Sequence, residues 1–187
     1  MRRRTILLTL ASGTLAACAA NVKPLREQPV VAASKPASAP PPSKIQRLLL
    51  WLPPHSATEV RTSAYGGTKL LFDNAVFGDE LKKKFQSAGI EVVEGTSTPL
   101  ELDRRDDQRA LMTRFKLTQR FEVDVADLRS YQQGGMFTSM SLMKWQLYNA
   151  NDSSPIRFGN FAVTGDRQNL IERADYIFAQ LKSEGFV

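Results

Sequence analysis

The sequence predicts an α+β fold: a two-layer sandwich of a mostly antiparallel sheet, four to five strands, with two helices on one face. Three patterns predict it. Residues 111–125 alternate apolar and polar side chains, as a half-buried strand does. Residues 76–88 and 170–181 carry apolar side chains at helical spacing. Because both helices cover one face, we expect the other face to be open to solvent or to a partner.

The first predicted strand is the apolar run IQRLLLWL at 45–52, which Pro53-Pro54 ends. Residues 55–72 have no single clear pattern. The segment YGG at 65–67 indicates a turn, and residues 69–72 fit either a short strand or the approach to a helix.

The first predicted helix covers residues 76–88, whose apolar side chains recur every three or four positions. Gly89 is the residue type that commonly follows a helix end. A second short strand is predicted at 90–94.

The longest predicted strand runs from Leu111 to Val125, with Gln119 marking a bend or bulge between two segments. The segment SYQQGG at 130–135 predicts a hairpin connection, and residues 137–147 predict the returning strand. These two strands supply the antiparallel part of the sheet.

The last elements are a loop at 149–155, a strand at 157–163 and a C-terminal helix over the stripe at 170–181. Thr164 or Asp166 is suited to cap the start of this helix. Gly185 is suited to its end.

The N-terminal segment has the organisation of an export signal. Three arginines at 2–4 precede a mostly apolar run, ILLTLASGTLAA, at 6–17. The run is too short to cross a bilayer, which takes about 20 apolar residues. We therefore expect cleavage and export, by either the general secretory or the twin-arginine route.

The apolar run ends in Leu15-Ala16-Ala17-Cys18, which resembles the lipobox of Gram-negative outer-membrane lipoproteins. The resemblance implies cleavage before Cys18, acylation of its sulfur and acylation of its new amine. Two or more acyl chains suffice for stable anchoring. Ala19, rather than Asp, follows the cysteine, which implies the outer membrane, with the protein facing the periplasm. The alternative is a free cysteine beside an ordinary cleavage site.

The chain therefore divides into a signal peptide at 1–17, a lipidated Cys and Pro/Ala-rich tether at 18–44, and one domain at 45–187. The tether contains six of the ten prolines and no aromatic residue, so it cannot form a packed core. Removing residues 1–17 lowers the formal net charge from +6 to +3. The basic composition thus reflects export, and no nucleic acid is predicted as a partner.

The sequence predicts no catalytic residue, no metal site and no cofactor. The signatures of nucleophilic hydrolases, P-loop proteins, zinc peptidases and dinucleotide-binding proteins are absent. The single histidine, His55, lies in a Pro-Pro-His loop and is interpreted as a surface residue. Glu122 and Asp124 would lie about 7 Å apart on one strand face, where they could form a carboxylate pair or a hard-cation site. The alternative is the solvated side of an amphipathic strand.

The best candidate for partner binding is a basic set on the open sheet face. It comprises Arg114, Lys116 and Arg120, with Lys144 from the neighbouring strand. It could meet lipopolysaccharide phosphates, an acidic cell-wall polymer or an acidic protein patch. The alternative is cross-strand pairing with the nearby acids. Lys82-Lys83-Lys84 is interpreted as a solvated helix face, with anionic headgroups as a second interpretation.

The combination of lipid anchor, tether and small sheet-bearing domain also resembles lipopolysaccharide-assembly lipoproteins and penicillin-binding-protein activator lipoproteins, in architecture only. We therefore expect a non-enzymatic, lipid-anchored envelope protein, an accessory or assembly factor that binds another envelope component. The alternatives are a periplasmic hydrolase acting on cell-wall or glycan material and a lipid-binding transport auxiliary.

Overall fold

The computed structural model describes residues 43–54, 58–61, 68–96, 104–133, 136–150 and 152–187. Cys18, the predicted signal peptide at 1–17, residues 19–42 of the predicted tether and His55 lie outside these ranges. In chain order, the elements are β1 (Arg47–Leu52), β2 (Glu59–Arg61), β3 (Thr68–Leu70), α1 (Asn74–Ser87), β4 (Glu91–Thr96), α2 (Arg104–Arg114), β5 (Gln119–Gln133), β6 (Met136–Asn149), β7 (Arg157–Val163) and α3 (Arg167–Ser183).

The main sheet has five strands in the order β4-β1-β5-β6-β7. The long strands β5 and β6 pair antiparallel, as do β6 and β7, whereas β1 is parallel to both of its neighbours. The predicted α+β class with a mostly antiparallel sheet is thus confirmed. The parallel pairs arise because a helix, rather than a hairpin turn, connects β1 to β4 and β4 to β5.

Helices α1 and α3 cover one face of the sheet and enclose the main core. The stacked pair Phe121 and Trp145, with ring centroids 5.5 Å apart, lies at its centre on β5 and β6. Phe77 of α1 stacks on Phe161 of β7 at 5.4 Å. Alternate residues of β1, β5, β6 and β7 contribute to this core, and the helical stripes supply Leu81, Phe85, Leu170, Ala174, Ile177 and Leu181.

Capping residues define the ends of α1 and α3, and those at Gly89, Asp166 and Gly185 were predicted. The Asp73 side chain accepts hydrogen bonds from the first turn of α1, and the Asp166 side chain does so for α3. Gly89 and Gly185 follow the helices with φ of 82° and 81°, a region that favours glycine. Of the two predicted caps for α3, Asp166 is therefore the one used.

The prediction of one long strand over 111–125 is wrong in its first part. Residues 104–114 form α2, which packs on the second face of the sheet, and strand β5 starts at Gln119. The order of the strands in the sheet explains this difference. Helix α1 connects β1 to β4 on one side of β1, and α2 connects β4 to β5 on the other side of β1, so the two connections run in opposite directions across the sheet. Since both parallel crossovers favour the right-handed sense, the two helices belong on opposite faces. The second face is therefore partly covered, not fully open as predicted.

Helix α2 encloses a small second core with β1. Leu49, Trp51, Met112 and Leu117 are buried there. Gly95 of β4 allows the approach of Trp51, because a Cβ at this glycine would lie 2.5 Å from the indole ring. Strand β1 is thus buried on both faces, which explains its continuous apolar sequence.

Two further differences concern β5 and the residues before α1. The register shift in β5 lies between Val125 and Asp127, not at Gln119, which begins the strand. The short strands β2 and β3 form a separate antiparallel pair in the region that the sequence left open. The turn predicted at 65–67 lies outside the described residues.

Candidate functional site

A groove of about 650 Å³ lies between α2 and the exposed side of β5 and β6. Its walls are mostly charged and polar. The charged and polar residues that line it include Arg104, Arg105, Gln108, Arg109, Arg120, Glu122, Asp124, Tyr148 and Asp152. The groove exists because α2 packs over β1 and leaves the neighbouring strands accessible.

A network of ion pairs forms the floor of the groove. Arg104 of α2 lies 3.1 Å from the Glu122 carboxylate and 2.8 Å from the Asp124 carboxylate. Arg120 donates from Nε to the other oxygen of Glu122 at 2.6 Å. Only 10% of the Glu122 side chain is exposed, so two guanidinium groups compensate its burial. The predicted proximity of Glu122 and Asp124 is observed, with Arg104 bridging the two carboxylates.

Arg120 is held on several sides. Its guanidinium lies 4.0 Å from the centroid of the Tyr148 ring, a cation–π distance. It also donates to the backbone carbonyls of Ala150, at 3.4 Å, and Asp152, at 3.0 Å. Arg120 therefore acts as a structural centre of the groove floor.

The surroundings of Tyr148 in the groove change the acidity of its phenol. Burial raises the pKa of its phenol above the usual value of 10.0, and the negative charge of Glu122 raises it further. The phenol is therefore neutral and remains a hydrogen-bond donor well above neutral pH.

The α2 wall presents nitrogen donors. Arg105, Gln108 and Arg109 are three and four positions apart, so they share one face of the helix. Gln108 is only 6% exposed, and its amide nitrogen has no hydrogen-bond partner among the described residues. Arg109 lies 3.5 Å from Asp106, and both side chains are largely exposed. These residues were not predicted from the sequence because residues 111–125 were interpreted as a strand, so no helix was expected before them. Their helical spacing was the available signal.

The four residues predicted for partner binding do not form one set. Arg120 lies in the groove floor. Arg114 ends α2, where its guanidinium lies 5.1 Å from the Phe115 ring centroid. Lys116 follows at φ 52° with an exposed side chain. Lys144 is half-buried on β6 opposite Asp124, which pairs with Arg104. Their role in partner binding stays a prediction.

The lysine run on α1 is mostly engaged in ion pairs. Lys82 lies 3.1 Å from Glu94, and Lys84 lies 2.7 Å from Asp175. The hydrogen bond from Lys84 to Asp175 raises the pKa of that lysine. Lys83 is exposed between them.

Within the described residues, no group of three or more His, Cys, Asp and Glu side chains could hold a metal ion. Over the same part of the chain, none of the helices is long and apolar enough to span a membrane.

The sequence matches no protein-family model and no curated protein. Among solved structures, the chain is similar to a PelC dodecamer from Paraburkholderia phytofirmans, at 10% identity and a TM-score of 0.43, over 82% of this chain and 94% of that one. It is also similar to lipoprotein GNA1162 from Neisseria meningitidis, at 12% identity and a TM-score of 0.40, over 74% and 99%. The hypothetical protein CT253 from Chlamydia trachomatis gives 8% identity and a TM-score of 0.43, over 77% and 98%.

Proposed function

We propose that this protein is a lipid-anchored, non-enzymatic accessory protein of the bacterial envelope that binds another envelope component. One observation carries the proposal. The arginines at 2–4, the apolar run at 6–17 and the sequence LAAC at 15–18 coincide with the only cysteine of the chain. Each feature is common alone, but together they describe a signal for export and lipidation.

The anchor would attach to a domain that can reach away from the membrane. Residues 19–44 separate Cys18 from the predicted domain start, and a proline-rich segment of that length spans up to roughly 80 Å in extended form. Ala19 favours the outer membrane, with the domain in the periplasm. A tether of this kind suits a protein that contacts a partner at some distance from its own anchor.

The proposal of a non-enzymatic role draws support from the groove floor. A carboxylate that performs acid–base chemistry must exchange a proton with substrate. Glu122 instead accepts hydrogen bonds from Arg104 and Arg120, and Arg104 also engages Asp124. These contacts engage both carboxylates in ion pairs within the protein, as structural groups.

The partner surface we propose lies at the C-terminal end of α2. Arg114 and Lys116 are exposed there, two positions apart. Neither forms a salt bridge within the described residues, so both charges are available to an acidic partner. Exposed charges of this kind mainly raise the association rate and set specificity.

The anchoring test is acyl labelling in cells. Wild type incorporates a palmitate analogue and fractionates with the outer membrane, and Cys18→Ser loses both properties. Ser38→Ala, a tether variant that keeps the cysteine, serves as the control and behaves as wild type. Continued labelling of Cys18→Ser would refute the lipoprotein assignment.

The partner test is cross-linking of the anchored protein followed by affinity purification. Arg114→Glu with Lys116→Glu is expected to lower partner recovery at least tenfold. Lys83→Glu with Lys182→Glu makes the same charge change on exposed positions of α1 and α3 and serves as the matched control. Equal recovery from both double variants would remove the α2 end from the proposal.

A further inference from the structure

In the groove beside α2, the carboxylate acceptors are paired within the protein, whereas several hydrogen-bond donors are not. Among the described residues, each of the three carboxylates that line it has a partner: Glu122 and Asp124 through arginines, and Asp152 through the Asn149 side-chain amide at 2.8 Å. The acidic groups of the groove are thus satisfied within the protein.

The donors on the α2 wall are not satisfied in the same way. The Gln108 amide nitrogen is buried and has no hydrogen-bond partner in the part of the chain that the structure describes, although buried polar groups are nearly always paired. Arg105 forms no salt bridge within the described residues. The Arg109–Asp106 pair is 77% and 81% exposed, so it is weak and easily exchanged.

These three donors converge on one space. Positions 105, 108 and 109 lie on the same helix face, and all three side chains line the groove. Two guanidinium groups near one buried amide donor form a site that is complementary to an oxyanion with a further acceptor. The volume of about 650 Å³ falls in the range of small-molecule sites.

We propose that the groove binds a small anionic ligand. Arg105 and Arg109 hold its phosphate or carboxylate group, and the Gln108 amide donates a hydrogen bond to it. The groove floor of Arg104, Arg120 and Glu122 keeps its own pairs and positions the wall. This site is separate from the surface at Arg114 and Lys116 and from lipidation at Cys18, so its failure would leave the proposed function standing.

The test is calorimetric binding to the purified full chain at low and at physiological salt. The probes are inorganic pyrophosphate for phosphate, trigalacturonic acid for carboxylate and maltotriose as a neutral sugar. We expect one of the two anions to bind and maltotriose not to bind. Binding of pyrophosphate alone would identify a phosphate ligand, and binding of trigalacturonic acid alone a carboxylated one.

Three variants locate the binding. Arg105→Ala with Arg109→Ala is expected to weaken it at least tenfold, and Gln108→Leu to weaken it several-fold at similar side-chain volume. Arg167→Ala, an exposed arginine on α3, is the matched control and leaves binding unchanged. Since Gln108 is buried, Arg105→Ala alone provides a variant at an exposed position in case Gln108→Leu fails to fold.

Two results would overturn the proposal. The first is that neither anion binds to the folded wild-type chain at millimolar concentration. The second is that the groove variants, shown to be folded by circular dichroism, bind the anion as tightly as the Arg167→Ala control does.

Discussion

Arg104 of α2 donates a hydrogen bond from Nη2 to the Glu122 carboxylate of β5 at 3.1 Å, which ties the helix to the second face of the sheet. The same guanidinium also engages Asp124. This contact fixes the helix over the part of the sheet that the sequence led us to expect in solvent. The polar groove, and not an open basic face, is the consequence.

Removal of the Arg104 guanidinium should destabilise the domain. Arg104→Met leaves the largely buried Glu122 with Arg120 as its remaining cation, and we expect a loss of about 1–3 kcal/mol. Urea unfolding measures this loss as a decrease in the free energy of unfolding. Arg109→Met removes an exposed pair from the same helix and should cost less than about 0.5 kcal/mol. Similar losses for both variants would show that the Arg104 bridge contributes little.

The close approach of Gly95 to Trp51 gives a second prediction. In Gly95→Ala, the new methyl group would lie 2.5 Å from the indole ring, and the overpacking should cost about 1–3 kcal/mol. The Trp51 fluorescence should change as the ring moves.

Gly89→Ala provides the control for that variant. Its Cβ meets open space but its φ is 82°, so it should cost stability through the backbone without changing the tryptophan spectrum. An unchanged spectrum in Gly95→Ala would contradict the tight packing.

The main core was predictable from the sequence because its patterns are long and unambiguous. The stripe at 170–181 became α3, and the alternation from Gln119 to Val125 became the first half of β5. Local capping residues such as Asp166 and Gly89 acted as expected. These features depend on neighbours within a few residues.

Helix α2 was not predictable in the same way because its segment satisfies two patterns. Leu111 and Phe115 fit both an alternating strand and one side of a helix, whereas Met112 fits only the helix. The segment forms a helix because β1 is apolar on both faces and therefore needs an element packed on each face. That requirement was present in the run at 45–52, but only the sheet order shows which segment fulfils it.

The contacts of the candidate site could not be predicted because they depend on α2. Arg120, Glu122 and Asp124 are on the predicted strand, but their partners come from α2 and from the turn after β6. Ion pairs between segments that are distant in sequence depend on the tertiary arrangement. A single sequence therefore indicates which charges are present, and the fold decides which of them remain available.

Tyr148 should report on the groove through its titration. Burial and then the charge of Glu122 raise its pKa, so an ultraviolet titration should show a tyrosine that ionises above the usual value of 10.0. Glu122→Gln should move that pKa downward, whereas Asp127→Asn on the exposed part of β5 should not. An unchanged pKa of Tyr148 in Glu122→Gln would mean that the two groups are not electrostatically coupled.

The same shift has a consequence for stability. A phenol with a raised pKa in the folded state stabilises the fold fully below its unfolded pKa of about 10 and loses that contribution as pH rises through the higher folded value. The free energy of unfolding should therefore fall above pH 10 more steeply in wild type than in Tyr148→Phe. Equal slopes would contradict the raised pKa.

The ion pair between the buried Arg157 and the partly exposed Glu184 gives the last prediction. Arg157 is 6% exposed and donates from Nη2 to Glu184 at the end of α3, while its Nε and Nη1 have no hydrogen-bond partner among the described residues. Since this desolvation is incompletely compensated, Arg157→Met should lie within about 1 kcal/mol of wild type or be more stable. Glu184→Gln instead leaves a buried cation without its anion and should cost about 1–3 kcal/mol. Chemical unfolding of both variants distinguishes these outcomes, and a larger loss for Arg157→Met than for Glu184→Gln would mean that the guanidinium itself stabilises the domain.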